Sequence, residues 1–350
     1  MSFNLENLLR KNIRDLIPYS SARDEFKGEA GIFLDANENS FGSPLEKNYN
    51  RYPDPLQLTL KEKISKIKGV PVQNIFIGNG SDEVIDILYR SFCNPGKDNV
   101  ILVPPTYGMY EVSANINDVE VRKVNLLQNF QLDLEKIAES VNDHTKLIFL
   151  CSPNNPTGNS LHPEDMEIIL NNFEGVVIID EAYINFSKQK SFIQELTEYP
   201  NLVVMQTLSK AWGMAGLRLG MAFAGEGIIS VFNKVKPPYN INSASQELAM
   251  KALDNIEQVN NWIRKTVNER EKLIQSLADF SFVQHIFPSD ANFILVKTTE
   301  PQQIYNYLVE NGIIVRDRSK VILCEGCLRI TVGTPEENTE LIQTLKKFNA

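Results

Sequence analysis

Val176-Val177-Ile178-Ile179-Asp180 and Leu202-Val203-Val204-Met205, the second running on through Gln206-Thr207-Leu208-Ser209-Lys210, decide how this chain folds. Each is a short apolar run that ends near a charged residue, and a strand apolar at every position is one buried on both faces, as in a parallel sheet. The pattern extends outward. Apolar runs at 75–77, 99–103, 146–151 and 220–224 alternate with helical periodicity from about residue 75 to 225. That alternation predicts βα units, hence an α/β fold whose mainly parallel sheet is covered by helices. Lys234-Val235-Lys236-Pro237-Pro238-Tyr239 interrupts it. An amphipathic stretch from about Ser243 to Leu277 then predicts one long helix leading into a smaller α+β region. There, strands at 293–296, 313–316 and 327–332 alternate with a helix near 302–311. The first dozen residues read as helical, and Ile17-Pro18-Tyr19-Ser20 breaks that pattern into an arm. The divisions expected are 1–38 for the arm with part of the small domain, 39–240 for the large domain and 241–350 for the small domain.

Bulk properties narrow the function. A chain of 350 residues exceeds the size at which one core keeps growing, and its 43% hydrophobic content can fill two. Lys and Arg number 35 against 44 Asp and Glu, a net charge of -9 that argues against nucleic acid or an anionic membrane as the main partner. The amino terminus lacks a basic segment followed by an apolar core, and no apolar run approaches the roughly 20 residues of a membrane span, so a cytoplasmic protein is expected. Cys324 and Cys327 form a Cys-x-x-Cys pair, but a zinc site needs two further ligands, and Cys93 and Cys151 stand alone in apolar surroundings. Buried thiols in a reducing compartment, and no metal, are expected. His144, His162 and His285 are scattered along the chain.

A lysine after a strand is ordinarily a solvated loop charge. Lys210 differs because Asp180, about thirty residues earlier, also ends a strand, so both converge where open α/β sheets bind ligands. Such a pair fits pyridoxal phosphate, whose aldehyde condenses with a lysine amine and whose ring nitrogen takes an acidic partner. Ile75-Phe76-Ile77-Gly78-Asn79-Gly80-Ser81-Asp82-Glu83 reads as strand, glycine turn and helix start, aiming backbone N–H groups at an anion. A dinucleotide fingerprint is the rival, and it fails for want of a third glycine and a second-strand acid. Tyr107, in a loop after a strand, is either a ring stacked on the cofactor or a core tyrosine. Arg329, alternating with apolar neighbours, is either an outward edge charge or an inward anion clamp.

With Ser152-Pro153-Asn154-Asn155-Pro156-Thr157-Gly158 added, the order and spacing of these motifs resemble the fold-type I aminotransferases over Tyr19 to Gly333. Within them the chain looks like the class II branch that handles histidinol phosphate. The resemblance implies a large cofactor-binding domain, a small α+β domain and pyridoxal 5'-phosphate as cofactor. Gly80, Ser81, Asp82, Ser209, Arg218 and Thr207 then cradle its phosphate, Tyr107 stacks on its ring, and Asn155 and Tyr183 donate to its phenolic oxygen. Asp180 holds the ring nitrogen. Lys210 anchors the aldehyde and afterwards moves the substrate proton.

The resemblance also implies a homodimer with shared active sites, in which Tyr52 of Arg51-Tyr52-Pro53 crosses to the partner's cofactor phosphate. Asn37, in Leu34-Asp35-Ala36-Asn37-Glu38-Asn39, borders the substrate, and Tyr19, Arg316 and Arg329 hold a substrate phosphate. The implied reaction interconverts L-histidinol phosphate plus 2-oxoglutarate with imidazole acetol phosphate plus L-glutamate, in histidine biosynthesis. Threonine-phosphate decarboxylase and a broader aromatic aminotransferase are the enzymatic alternatives. A cofactor-sensing regulatory domain would carry a basic DNA-binding segment, and none is evident. One departure from the pattern is Gln206, where related sequences commonly show arginine.

Overall fold

The computed structural model describes residues 3–19, 32–45, 47 and 49–348, so the expected arm lies partly outside the described residues. Seven strands build the large sheet: β1 (Ile75–Asn79), β2 (Asn99–Leu102), β3 (Glu120–Lys123), β4 (Thr145–Cys151), β5 (Val176–Asp180), β6 (Leu202–Thr207) and β7 (Leu219–Ala224). Their order is β1-β7-β6-β5-β4-β2-β3, parallel from β3 through β6. Strand β7 alone runs antiparallel to both its neighbours. The cause is the connection. Residues 208–218 contain only a 3-10 turn, Ala215–Leu217, and a parallel return needs a crossover of a dozen or more residues, usually a helix.

The continuous apolar strands behave as period-2 objects buried on both sides. Ile148, Leu150, Val177, Ile179 and Val204 face one core; Leu147, Phe149, Val176, Ile178, Val203 and Met205 face the other. Burying each such side chain stabilises the fold by roughly 1.5–3 kcal/mol, which makes the sheet a rigid base for its loops. Strand β3 escaped the sequence reading because an edge strand is polar by necessity: Glu120 and Lys123 are exposed and keep the free edge from pairing.

Helices cover both faces. The element after β1 is α4 (Ser81–Phe92), preceded in the chain by α1 (Leu5–Leu8), α2 (Lys11–Arg14) and α3 (Leu58–Lys68), and followed after β2 by α5 (Met109–Ile116). The expected N-terminal helix is thus two short ones, interrupted at Arg10, whose backbone is extended and whose N–H is spent on Ser91 O. Leu9 and Ile13 pack into the core beneath α4. Next come α6 (Leu134–Ser140), α7 (Pro163–Asn172) and α8 (Glu226–Val235).

The long helix expected from 243 to 277 is also two, α9 (Ser243–Leu253) and α10 (Ile256–Ala278), broken at Asp254-Asn255. Ala249 and Leu253 of α9 still belong to the large core, so the packing changes beyond residue 240, within α10. The small layer is a four-stranded antiparallel sheet, order β10-β11-β9-β8, from β8 (Val283–Ile286), β9 (Phe293–Thr298), β10 (Arg316–Asp317) and β11 (Cys327–Thr331). It is backed by α11 (Pro301–Glu310) and α12 (Pro335–Phe348), whose Leu341 and Leu345 pack on Leu273 and Leu277 of α10. The sequence reading lacked β8 and α12. It also began β10 at 313, whereas residues 313–315 do not pair and the ladder starts at Arg316.

Candidate active site

A cavity of about 550 Å³ opens at the C-terminal ends of β4, β5 and β6 and is closed on the far side by residues of β10 and β11. Ser81, Asp82, Tyr107, Asn155, Asp180, Tyr183, Thr207, Ser209, Lys210, Arg218, Arg316 and Arg329, all singled out in the sequence, line it.

Asp180 is the last residue of β5, opposite Cys151 at the end of β4, and is 4% exposed. Its Oδ1 accepts from the Ala182 N–H at 3.0 Å and its Oδ2 from the Tyr110 hydroxyl at 2.6 Å. Burial pushes the carboxyl above the usual range, and those two donors pull it back. Lys210 follows β6, with Nζ 5.6 Å from the Tyr183 ring centroid. Burial and the positive field of Arg329 hold its amine below the ordinary lysine value, against the pull of Asp180. A lysine so placed is unprotonated more of the time, which a nucleophile or base requires.

A glycine turn of a geometry suited to an anion lies at the start of α4. Gly80 adopts φ +79, and a Cβ there would stand 2.6 Å from Arg218 Nη2, so only glycine lets the guanidinium close over the turn. On β7, Gly220 allows the same close approach, since a Cβ would meet Ser81 N at 2.2 Å. The Gly80 N–H is spent on the Arg218 carbonyl at 2.8 Å, and the first-turn N–H groups of Ser81 and Asp82 have no helical partner. Asp82 itself accepts from Arg218 Nη2 at 3.2 Å and from the Tyr107 hydroxyl at 3.2 Å, so its side chain fixes the arginine beside the turn. Arg218 sits at φ 54, a left-handed conformation uncommon outside glycine and typical of functional sites. Thr207 Oγ1 lies 3.2 Å from Leu219 O and 3.0 Å from Ser209 Oγ, and it accepts the Ser209 N–H at 3.0 Å. Its role in one chain is to shape the turn that carries Lys210.

Across the cavity, Arg329 of β11 is directly opposite Arg316 of β10. Arg329 Nη1 donates to Asn155 Oδ1, a contact that joins the small sheet to the loop after β4, and its guanidinium lies 5.2 Å from the Phe293 ring. The two readings left open at Arg329 are thereby separated, because the side chain is turned inward. Tyr107 is half-buried and lines the cavity, making an edge-on contact with Tyr110 at 5.5 Å and 85°.

Tyr19, Asn37 and Tyr52 are not among the residues lining this chain's cavity. Tyr19 is 74% exposed, Asn37 is exposed at φ 53, and Tyr52 stacks on Tyr239 at 4.4 Å. The two loops that carry Asn37 and Tyr52 are nonetheless bound together. Arg51 Nη1 donates to Glu38 Oε2 at 2.6 Å, the Tyr52 N–H to Glu38 Oε1 at 2.7 Å, and Asn50 Nδ2 to Asn39 O at 2.8 Å.

The sequence reading missed Tyr110, Cys151, Thr106 and Arg318, which contact or line the site. Tyr110 had a signal: three residues after Tyr107 at a helix start, it shares that residue's face. Gln206, the departure from pattern, is buried beneath the site. Its Nε2 donates to Glu181 Oε2 at 2.9 Å and its Oε1 accepts from Lys68 Nζ at 2.7 Å, so Lys68 of α3 supplies the cation that an arginine would bring to buried Glu181. Among the described residues there is no cluster of potential metal ligands and no helix long and apolar enough to cross a membrane.

Comparison with known proteins gives one consistent family. The model for aminotransferase class I and II matches residues 35–345. A protein of Cytophaga hutchinsonii called histidinol-phosphate aminotransferase is 54% identical over 348 residues, covering 99% of this chain and 100% of that one. Among solved structures, histidinol-phosphate aminotransferase from Clostridium acetobutylicum superposes with a TM-score of 0.79 at 24% identity, covering 86% of this chain and 91% of that one. The enzyme of that name from Sinorhizobium meliloti, solved in complex with pyridoxal-5'-phosphate, gives 0.78 at 23% identity over 89% and 90%. At such identities the structures speak to the fold.

Proposed function

This chain belongs to the class I and II aminotransferases, and from that membership we propose that it transfers the amino group of L-histidinol phosphate to 2-oxoglutarate, yielding imidazole acetol phosphate and L-glutamate in histidine biosynthesis. One observation carries the substrate choice: Arg316 and Arg329 are paired directly across two strands, and both line the cavity that Lys210 and Asp180 also line. Histidinol phosphate has no carboxylate, so its phosphate is the group a pair of arginines can hold. In the return half-reaction the side-chain carboxylate of glutamate takes the same place.

The residues fit pyridoxal 5'-phosphate. The Cβ-free turn at Gly80 gives a phosphate-sized cradle capped by Arg218, with an acid and an amine at neighbouring strand ends. Bound through its aldehyde to an amine, that cofactor withdraws electrons from the carbon bearing the nitrogen and acidifies its C–H bond. Ser81, Asp82, Ser209 and Arg218 would hold the phosphate by backbone N–H, hydroxyl and guanidinium, with Thr207 bracing the turn. Asp180 would hold the ring nitrogen protonated, Tyr107 would cover the ring, and Tyr183 and Asn155 would donate to the phenolic oxygen. Lys210 would hold the aldehyde and, once released by the substrate amine, carry the proton to and from the substrate carbon.

Half-reaction rates with purified candidate amines test the assignment. Histidinol phosphate should react fastest, and release of carbon dioxide from threonine phosphate would overturn it in favour of a decarboxylase. Arg316→Ala should be selective. A charge-assisted hydrogen bond to phosphate contributes roughly 1.5–3 kcal/mol, so kcat/KM for histidinol phosphate should fall about 10- to 100-fold, far more than for unphosphorylated histidinol. If the ratio between these substrates does not move, the substrate becomes that of an aminotransferase of another specificity.

A homodimer with shared sites in the cytoplasm completes the proposal. Ile17, Tyr19, Ile32, Leu34 and Phe41 are each more than 70% exposed, an apolar surface that a second chain would cover, with Tyr19 and Tyr52 reaching its neighbour. All four cysteines are free and buried, which suits a reducing compartment. Mixing Lys210→Ala chains with Tyr52→Ala chains should restore activity after subunit exchange. Only if Tyr52 serves the partner does a heterodimer contain one site free of both changes. Active monomers in sedimentation would refute the shared site.

A further inference from the structure

We propose that Arg318 is a third anion-binding arginine, which makes the substrate end of the cavity selective for a doubly charged phosphate monoester over a singly charged carboxylate. This rests on the functional reading above and adds a residue to it.

The strand geometry carries the inference. Arg316 pairs with Arg329 and Asp317 with Leu328, and the Arg318 N–H extends the ladder by donating to Cys327 O at 2.9 Å. Alternation along an extended strand therefore sets Arg316 and Arg318 on the face shared with Arg329, and turns Asp317 to the other. Asp317 is occupied there, accepting the Ser319 N–H at 2.8 Å. All three arginines line the cavity. Among the described residues none of the three has an ion-pair partner, and the Nε atoms of both Arg318 and Arg329 are buried without a hydrogen-bond partner.

Three guanidiniums on one face repel one another, and burial together with the field of Arg316 holds Arg318 below its ordinary value. An arrangement so unfavourable in isolation is relieved by an anion able to accept from all three. A carboxylate has two oxygens, and one planar guanidinium can take both in a bidentate contact. A phosphate monoester has three terminal oxygens and close to two negative charges, enough acceptors for a contact from each of the three guanidiniums. The third arginine is thus superfluous for glutamate and useful for the phosphorylated amine.

The test compares kcat/KM for L-histidinol phosphate, L-histidinol and L-glutamate in the wild type, Arg318→Gln and Arg318→Lys, alongside calorimetric binding of inorganic phosphate to the holoenzyme. In Arg318→Gln, the preference for histidinol phosphate over each of the other two should fall about 10-fold, and phosphate should bind about 10-fold more weakly, consistent with loss of one charge-assisted contact. Arg318→Lys should regain part of both. An equal loss on all three substrates in both variants, or an unchanged ratio, would overturn the proposal while leaving the functional reading in place. A wild type that takes histidinol as readily as its phosphate would overturn the reading itself, and the proposal with it.

Discussion

Lys210→Ala is expected to abolish turnover, with kcat lowered by about 10⁴-fold or more, since the variant loses both the anchoring amine and the group that moves the proton. Lys210 is the one lysine among the described residues lining the cavity, so no neighbour can stand in for it. Its environment suits the task, because burial and Arg329 hold the amine below the ordinary lysine value. An amine attacks only when unprotonated, so capture of added cofactor by the apo chain should quicken as pH rises through that lowered value. The purified wild type should be yellow. Borohydride reduction followed by peptide mapping should place the cofactor on the peptide that carries Lys210, and a label on any other lysine would end the assignment.

How much of this was legible in the sequence depends on how local each cause is. Asp180 and Lys210 could be found because each ends an apolar run, and a parallel sheet gathers the ends of neighbouring strands at one edge whatever the order of those strands. The Gly80 turn was legible for the same reason, with only its near neighbours needed to define the cradle. The reversal of β7 was not, because strand direction depends on what a connection can span rather than on the strand's own residues. Contacts between distant segments were equally hidden. Arg329 and Asn155 are separated by 174 positions, and no spacing rule connects them; Lys68 and Gln206 are separated by 138. Arg318 illustrates a dependence on register: its two-residue offset from Arg316 acquires meaning only once β10 is known to begin at Arg316. Tyr19, Asn37 and Tyr52 belong to segments exposed in a single chain, so the geometry of one chain gives them no place in its cavity.

Asp180→Asn is expected to retain cofactor more weakly and to lose about 100-fold in kcat, equivalent to about 2.7 kcal/mol of transition-state stabilisation. The magnitude follows from the environment. A carboxylate close to a ring nitrogen raises its proton affinity by about 1 to 3 pKa units, roughly 1.4–4 kcal/mol, and at 4% exposure little solvent screens that interaction. Asparagine is nearly the same size and can still accept from the Ala182 N–H, so the substitution removes charge without opening a cavity. Dialysis against cofactor-free buffer would measure the weakened retention, and single-turnover rates with histidinol phosphate would measure the chemical step. Near-normal turnover would show that the electron sink is elsewhere. Tyr110→Phe separates charge from alignment, because it removes the 2.6 Å hydrogen bond to Oδ2 while leaving the carboxylate in place. One hydrogen bond to a charged group contributes roughly 1.5–3 kcal/mol, and because the freed Oδ2 remains available to the ring nitrogen the loss should stay near the lower end of that range, about 10-fold. If Tyr110→Phe instead costs as much as Asp180→Asn, the aim of the carboxylate rather than its charge is what the site depends on.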